Sequence, residues 1–162
     1  MILRLLFLFI LTSASLVHAG SLERVQYLMG TTARVKVWAE DAAVRDRALS
    51  DAFSALHIVD DEMSTYKPDS QISVLNRDGL SGWVRIGPGL TEVLGASIRF
   101  NRISSGAFDP TVLPLMVLWG FRGGEPRLPS ESEIRGVLAT TGLTNLELDS
   151  KKHQARFTKS GV

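Results

Sequence analysis

The chain has no cysteine among its 162 residues, so disulfide bonds, thiolate metal sites and cysteine nucleophiles are all excluded. Histidine is also scarce, and its three occurrences, at positions 18, 57 and 153, suit neither a serine–histidine–acid triad nor a metal site. His57 falls beside the apolar stripe of a predicted helix, which favours a structural role over a catalytic one. A GxGxxG turn and a P-loop, the usual nucleotide-cradling motifs, are missing too.

An excess of charge of one sign is lacking as well. Lys and Arg number 18 against 17 Asp and Glu, and loss of Arg4 with a cleaved signal would balance them. A near-neutral chain argues against a protein that binds nucleic acid or a membrane surface through bulk charge. We therefore expect no nucleic-acid partner.

The first 19 residues have the pattern of a secretory signal. Arg4 supplies a positive charge, and residues 5–11 form an apolar run that is too short to span a bilayer as a stable helix. The side chains at residues 17–19 predict cleavage after Ala19, which would leave residues 20–162 as the mature chain. We expect an exported, periplasmic protein; an uncleaved signal would instead associate it with the inner membrane.

Local patterns predict an α+β fold in which helices pack on a mixed sheet. Residues 25–39 have an extended pattern, and Gly30 indicates a bulge or a close backbone approach within it. Residues 40–63 carry apolar side chains at helical spacing, and a second helix is predicted to begin near Pro88. A capping-box sequence at Ser130 predicts a third. Short strands are predicted at residues 83–86, 146–148 and 153–157.

Residues 104–111, SSGAFDPT, are the most unusual segment of the chain because small residues are so dense there. Ala107 and the glycine before it leave the backbone uncovered, so a flat ligand could lie against it. Phe108 offers a stacking face, and the carboxylate of Asp109 could accept hydrogen bonds from a ring or a ribose. Alternatively, Asp109 is only the N-cap of a helix with Pro110 in its first turn. The residue pattern alone leaves both interpretations open.

A second candidate segment, residues 63–76, is interpreted as a loop after the long helix, with many hydroxyl side chains and one aromatic residue, Tyr66. Binding residues are common in loops of this kind. Tyr66 could stack on a ligand or bond to it; alternatively, it packs on the core with its hydroxyl at the surface. The acidic residues 60–62 are interpreted as the solvated end of the helix.

Four motifs, in this order, give the chain its resemblance to a known family. They are residues 27–31 (YLMGT), 63–66 (MSTY) with 69–73 (DSQIS) and 75–76 (LN), 105–111 (SGAFDPT) and 118–121 (LWGF). Together they resemble the ApbE family, the FAD:protein FMN transferases. The resemblance implies an enzyme that splits FAD, releases AMP and esterifies FMN through its phosphate to a threonine or serine of a target protein, a membrane-associated redox subunit. It also implies Mg²⁺ as the cation of that reaction.

By this resemblance, five residues are predicted to contact FAD, and the Gly-Ala-Phe-Asp block is the most specific of the motifs. The five are Met29, Tyr66, Ala107, Phe108 and Asp109. No catalytic residue and no metal ligand is assigned in this chain. Gln71 stands where glutamate is common in the family, a departure that the pattern tolerates.

The end of the chain departs further from the family pattern. Residues 161–162 resemble the start of a strand that, in the family, continues into a glycine-rich stretch and then to the metal ligands, which this sequence lacks. We therefore expect residues 20–162 to be the N-terminal part of a flavin transferase domain, truncated at its C-terminus. Two alternatives stay open: an inactive, shortened protein that binds FAD without transferring FMN, and an adhesion or scaffold module without a ligand.

Overall fold

A computed structural model describes residues 20–160 of the chain. The predicted signal at residues 1–19 and the predicted strand start at residues 161–162 lie outside the described residues. Within residues 20–160 there are five α-helices, five β-strands and one 3-10 helix. In chain order they are β1 (Gly20–Leu28), β2 (Thr31–Ala39), α1 (Ala42–Met63), α2 (Gln71–Asp78), β3 (Val84–Arg85), α3 (Pro88–Ile103), α4 (Leu113–Leu118), α5 (Glu131–Leu138), the 3-10 helix (Leu143–Asn145), β4 (Leu146–Asp149) and β5 (Gln154–Phe157). The predicted α+β class is confirmed.

The described strands pair in two small antiparallel sheets and not in the mixed sheet that the sequence predicts. β1 pairs with β2 along its whole length, and β5 lies between β3 and β4. The extended character of residues 25–39 is confirmed, although the first strand already begins at Gly20. The predicted bulge at Gly30 is wrong, because the chain reverses direction there in a two-residue hairpin turn.

The β1–β2 hairpin packs against α1 around a small core. Leu49 and Phe53 of α1 are buried together with Leu28 of β1. The carboxylate of Asp41 caps this helix by accepting a hydrogen bond from the Ala43 N–H at 2.7 Å. The long helix thus supports the hairpin turn above its C-terminal half.

A second, larger core lies between α2, α3 and the three-stranded sheet. Its buried residues are Leu75, Ile86, Leu90, Leu94, Leu143, Leu146 and Ala155. The prediction that residues 63–76 form a loop is wrong for its second half, which is helical in α2. Ser70 caps α2 by accepting a backbone hydrogen bond at 3.1 Å. The loop is therefore shorter than predicted, and Tyr66 lies within it.

Three further predictions are confirmed. α3 begins at Pro88, and the strands predicted at residues 146–148 and 153–157 are present as β4 and β5, which pair with each other. The capping box of α5 is complete: the Glu133 N–H donates to Ser130 Oγ at 3.3 Å, and the Ser130 N–H donates to the Glu133 carboxylate at 2.8 Å. Of the helices in residues 20–160, none combines the length and the apolar character needed to cross a membrane.

Candidate functional site

The turn between β1 and β2 places Met29 in an uncommon backbone conformation. Its φ is +51° and that of Gly30 is +73°, the left-handed pair that a tight hairpin turn requires. For a residue with a side chain, this conformation costs on the order of 1 kcal/mol, so other contacts have to hold the turn. Met29 is 41% exposed, and its side chain is thus accessible to a ligand.

Asp60, in the last turn of α1, supplies one of these contacts. It is buried, with 6% of its surface exposed, and its carboxylate forms an ion pair with the Lys67 ammonium at 2.5 Å. The hydrogen bond from Lys67, and to a smaller degree the backbone N–H of Met29, lower the pKa of Asp60 from its usual value. The prediction that residues 60–62 are only a solvated helix end is therefore wrong for Asp60, which joins the helix to the turn.

A cavity of about 400 Å³, here called the turn cavity, lies between the hairpin turn and the segment after α1. Met29 and Tyr66 both line it, so the structure brings together two of the predicted FAD contacts. Tyr66 is 69% exposed, which contradicts the alternative that it packs on the core. A Cβ added to Gly30 would lie 3.7 Å from Cε2 of Tyr66, so the ring is a direct neighbour of the turn.

The segment that follows α4 contributes an arginine that the sequence motifs did not single out. Arg122 Nη1 donates to Thr65 Oγ1 at 2.7 Å, and Nη2 donates to the Thr65 carbonyl oxygen at 2.8 Å. The guanidinium carbon also lies 3.8 Å from the centroid of the Tyr66 ring, a close cation–π contact. A residue 57 positions away in sequence thus holds the loop that carries Tyr66.

A second cavity, of about 250 Å³ and mainly apolar, is called here the inner cavity. Residues of α2, α3 and α4 line it together with Pro110 and Thr111 of the small-residue segment. Thr65 and Arg122 line it as well. Because Arg122 also stacks on Tyr66, this pair lies between the inner cavity and the turn cavity.

The segment 104–111 is a loop whose backbone is bent by two left-handed residues, Ser105 at φ +53° and Gly106 at +87°. The Phe108 N–H donates to Ser104 Oγ at 2.9 Å, and the Phe108 carbonyl accepts from Asn101 Nδ2 at 2.7 Å. The Phe108 side chain is 46% exposed, so a face remains open for stacking. Ala107 is exposed beside it.

Asp109 uses both carboxylate oxygens within the protein. Oδ1 accepts hydrogen bonds from the Thr111 N–H at 2.9 Å and from Thr111 Oγ1 at 2.6 Å. Oδ2 accepts from the Leu143 N–H at 3.2 Å, and Asn101 Nδ2 lies 3.4 Å away. The N-cap alternative is wrong, because α4 begins at Leu113 and its N-cap residue, Val112, makes no side-chain capping bond. The carboxylate instead joins the loop to the 3-10 helix.

The predicted contacts therefore form two groups. Met29 and Tyr66 share the turn cavity, whereas Ala107, Phe108 and Asp109 lie on the loop that leads into the inner cavity. The described histidines have structural partners: His57 Nε2 lies 3.1 Å from Gln26 Oε1, and His153 Nδ1 lies 3.0 Å from Thr91 Oγ1. Among residues 20–160, no group of three or more acidic, histidine or cysteine side chains could hold a metal ion, so these residues do not fit a Mg²⁺ site.

Comparison with known proteins gives one consistent result. The model of the ApbE family matches residues 29–162. The chain is 33% identical over 138 residues to the FAD:protein FMN transferase of Haemophilus influenzae, covering 82% of this chain and 40% of that protein. It is 34% identical over 136 residues to the FAD:protein FMN transferase of Escherichia coli K12, covering 81% and 38%. The chain thus spans about two fifths of the length of these curated relatives.

Solved structures give the same result for the fold. The flavin transferase ApbE from Vibrio cholerae matches with a TM-score of 0.77 and 27% identity, covering 89% of this chain and 47% of that one. The ApbE protein of Thermotoga maritima matches with a TM-score of 0.74 and 28% identity, covering 85% and 45%. The family match extends over most of the chain, and the described residues share the fold of these structures. The chain belongs to the ApbE family.

Proposed function

We propose that the protein is an FAD:protein FMN transferase. A threonine or serine hydroxyl of the acceptor attacks the phosphorus of the FMN half of FAD. A bond forms between that oxygen and phosphorus, the pyrophosphate bond to AMP breaks, AMP leaves and the hydroxyl proton is released. The curated relatives named above carry this activity in their names, which supports the proposal.

The observation that carries the proposal is the position of Tyr66 at the turn cavity. Its ring is exposed and lies next to Met29 and Gly30, where the backbone turns tightly. An exposed aromatic face beside an uncovered glycine suits the planar isoalloxazine ring of a flavin. The loop with Ala107, Phe108 and Asp109 offers the second part of the proposed FAD site.

Three finer elements belong to the proposal. The first is that the acceptor is a membrane redox subunit. The second is that the protein acts in the periplasm, because residues 1–19 have the pattern of a secretory signal. The third is that Mg²⁺ neutralises the charge of the pyrophosphate in the reaction. The residues at the described site do not supply ligands for this cation. Their proposed task is to bind and orient FAD, so that the acceptor hydroxyl meets the phosphorus in line with the leaving AMP.

Incubation of the protein, in a form that includes the metal ligands expected of the family, with FAD, Mg²⁺ and an acceptor domain tests the proposal, because the described residues supply no ligands for this cation. We expect the acceptor to become covalently fluorescent and AMP to appear in equal amount, and both signals to disappear with EDTA. An acceptor whose target threonine is replaced by valine is the matched control. FAD binding with neither label nor AMP would support the inactive FAD-binding alternative. Absence of FAD binding would contradict both.

A further inference from the structure

Tyr66 lies on an exposed segment, where a side chain is ordinarily free to change its rotamer. Its ring is 69% exposed, with one edge beside Gly30. A planar ligand that stacks on a mobile ring must first restrict the motion of that ring, which reduces the affinity. A protein contact that holds the ring before the ligand arrives therefore raises the affinity.

The guanidinium of Arg122 makes a contact of this kind. Two of its N–H groups donate to Oγ1 and to the carbonyl oxygen of Thr65, at 2.7 and 2.8 Å. These bonds fix the plane of the guanidinium, whose carbon lies 3.8 Å from the centroid of the Tyr66 ring. Arginine suits the arrangement because the N–H groups of its planar guanidinium donate hydrogen bonds in the plane of the group, while the face of the same group stacks on an aromatic ring.

Arg122 is itself held by a tight turn after α4. Gly120 has a φ of +74°, and a Cβ there would overlap the carbonyl oxygen of Glu125, so only glycine fits. The Phe121 N–H donates to a carbonyl of α4 at 2.9 Å, and its ring stacks parallel to that of Trp119. The backbone that carries Arg122 is thus anchored on both sides of the turn.

We infer that Arg122 is a positioning residue of the proposed flavin site, which holds the Tyr66 ring for stacking by a planar ligand. Arg122 covers one face of the ring, and the flavin would stack on the opposite face. This inference depends on the proposed function, because it assigns a task to a residue that acts through Tyr66. Loss of one cation–π contact and of the ordered ring should weaken FAD binding by about 5- to 30-fold.

Titration of FAD into the full chain tests this inference, with flavin fluorescence as the signal. Stacking on an aromatic ring quenches flavin emission, so we expect Arg122→Met to bind more weakly and to quench less at saturation. Arg122→Lys should restore neither the affinity nor the quenching, because an ammonium group cannot donate two parallel hydrogen bonds and stack on a ring at the same time. Arg156→Met is the matched control: Arg156 stacks on Trp83 at 4.7 Å and lines neither cavity.

A second measurement does not depend on FAD. The chain has two tyrosines, so ring signals of ¹³C-labelled tyrosine can be assigned with one Tyr27→Phe variant. Arg122→Met should shift the Tyr66 signal, leave Tyr27 in place and change the melting temperature no more than Arg156→Met does. An unchanged Tyr66 signal would overturn the inference.

The outcomes separate this inference from the proposed function. If the unmodified chain binds FAD and Arg122→Met or Arg122→Lys binds it with equal affinity and equal quenching, the inference is overturned while the proposed function stands. If the unmodified chain binds no FAD, the proposed function fails and the inference about the flavin fails with it.

Discussion

Replacing Asp109 with alanine should destabilise the protein far more than the loss of an ordinary surface carboxylate. Three well-formed hydrogen bonds end on this side chain, from the Thr111 N–H, Thr111 Oγ1 and the Leu143 N–H. Hydrogen bonds to a charged acceptor contribute more than neutral ones, and the substitution leaves two backbone donors without their acceptor. We expect the free energy of unfolding to fall by about 3 kcal/mol, after discounting for the partial exposure of the carboxylate.

Urea unfolding followed by circular dichroism measures this loss. Asp149→Ala is the matched control, because Asp149 also accepts two backbone N–H bonds, from Lys151 and Lys152 at 3.1 Å, but both are local. We expect that variant to lose only about 1 kcal/mol. Equal losses in the two variants would refute the reasoning that the bond to Leu143, 34 residues away, ties the loop to the core.

Three further predictions concern the turn, the ion pair and the capping box. Gly120→Ala should cost on the order of 3 kcal/mol in urea unfolding, whereas Gly106→Ala, which meets open space, should cost only about 1 kcal/mol; similar values would contradict the overlap. The hydrogen bond from Lys67 lowers the pKa of Asp60 below its usual value of 3.8. The stability that this ion pair contributes to the protein is therefore complete above pH 3.8 and is lost as the pH falls further. In the Lys67→Met variant, the urea midpoint should depend less on pH over that range. Hydrogen bonds from a neighbouring arginine and the capping serine lower the pKa of Glu133 from 4.5 to about 2, so the stability that this carboxylate contributes is lost as the pH falls between these values. The Glu133→Gln variant should lose less stability over this pH range than the unmodified chain. An unchanged dependence of stability on pH would contradict this.

Three of the five helices in residues 20–160 were predictable from the sequence because their signals are local. Apolar spacing over α1, the proline at the start of α3 and the capping box of α5 each indicate a helix without any distant contact. α2 escaped prediction because it is only eight residues long and most of these residues are polar. Its cap, Ser70, and its buried residue, Leu75, help to fix it against the larger core.

The candidate site was predictable in the residues of its motifs, Asp109 among them, but not in two other charged residues, Asp60 and Arg122. Resemblance to the family indicated Met29 and Tyr66, and the structure places both at one cavity. The sequence predicts a solvated Asp60, because its burial depends on the hairpin turn and on Lys67, which come close to it only in the folded chain. Arg122 gave no local signal at all, since its partner Thr65 is 57 residues away. Long-range polar contacts of this kind are set by tertiary packing rather than by any local pattern.

Thr65 and Tyr66 explain how distant parts of the chain can act as one site. Asp60 holds the segment that carries them from one side, through Lys67, while Arg122 holds it from the other. Both contacts are charged, and both end within two residues of the aromatic ring. The hairpin turn and the segment after α4 are therefore connected through residues 65–67, and each of them fixes only part of that stretch of backbone. Because both contacts hold the same short segment, residues 65–67, their effects should not add, and a double variant at Asp60 and Arg122 should lose less FAD affinity than the two single losses predict together.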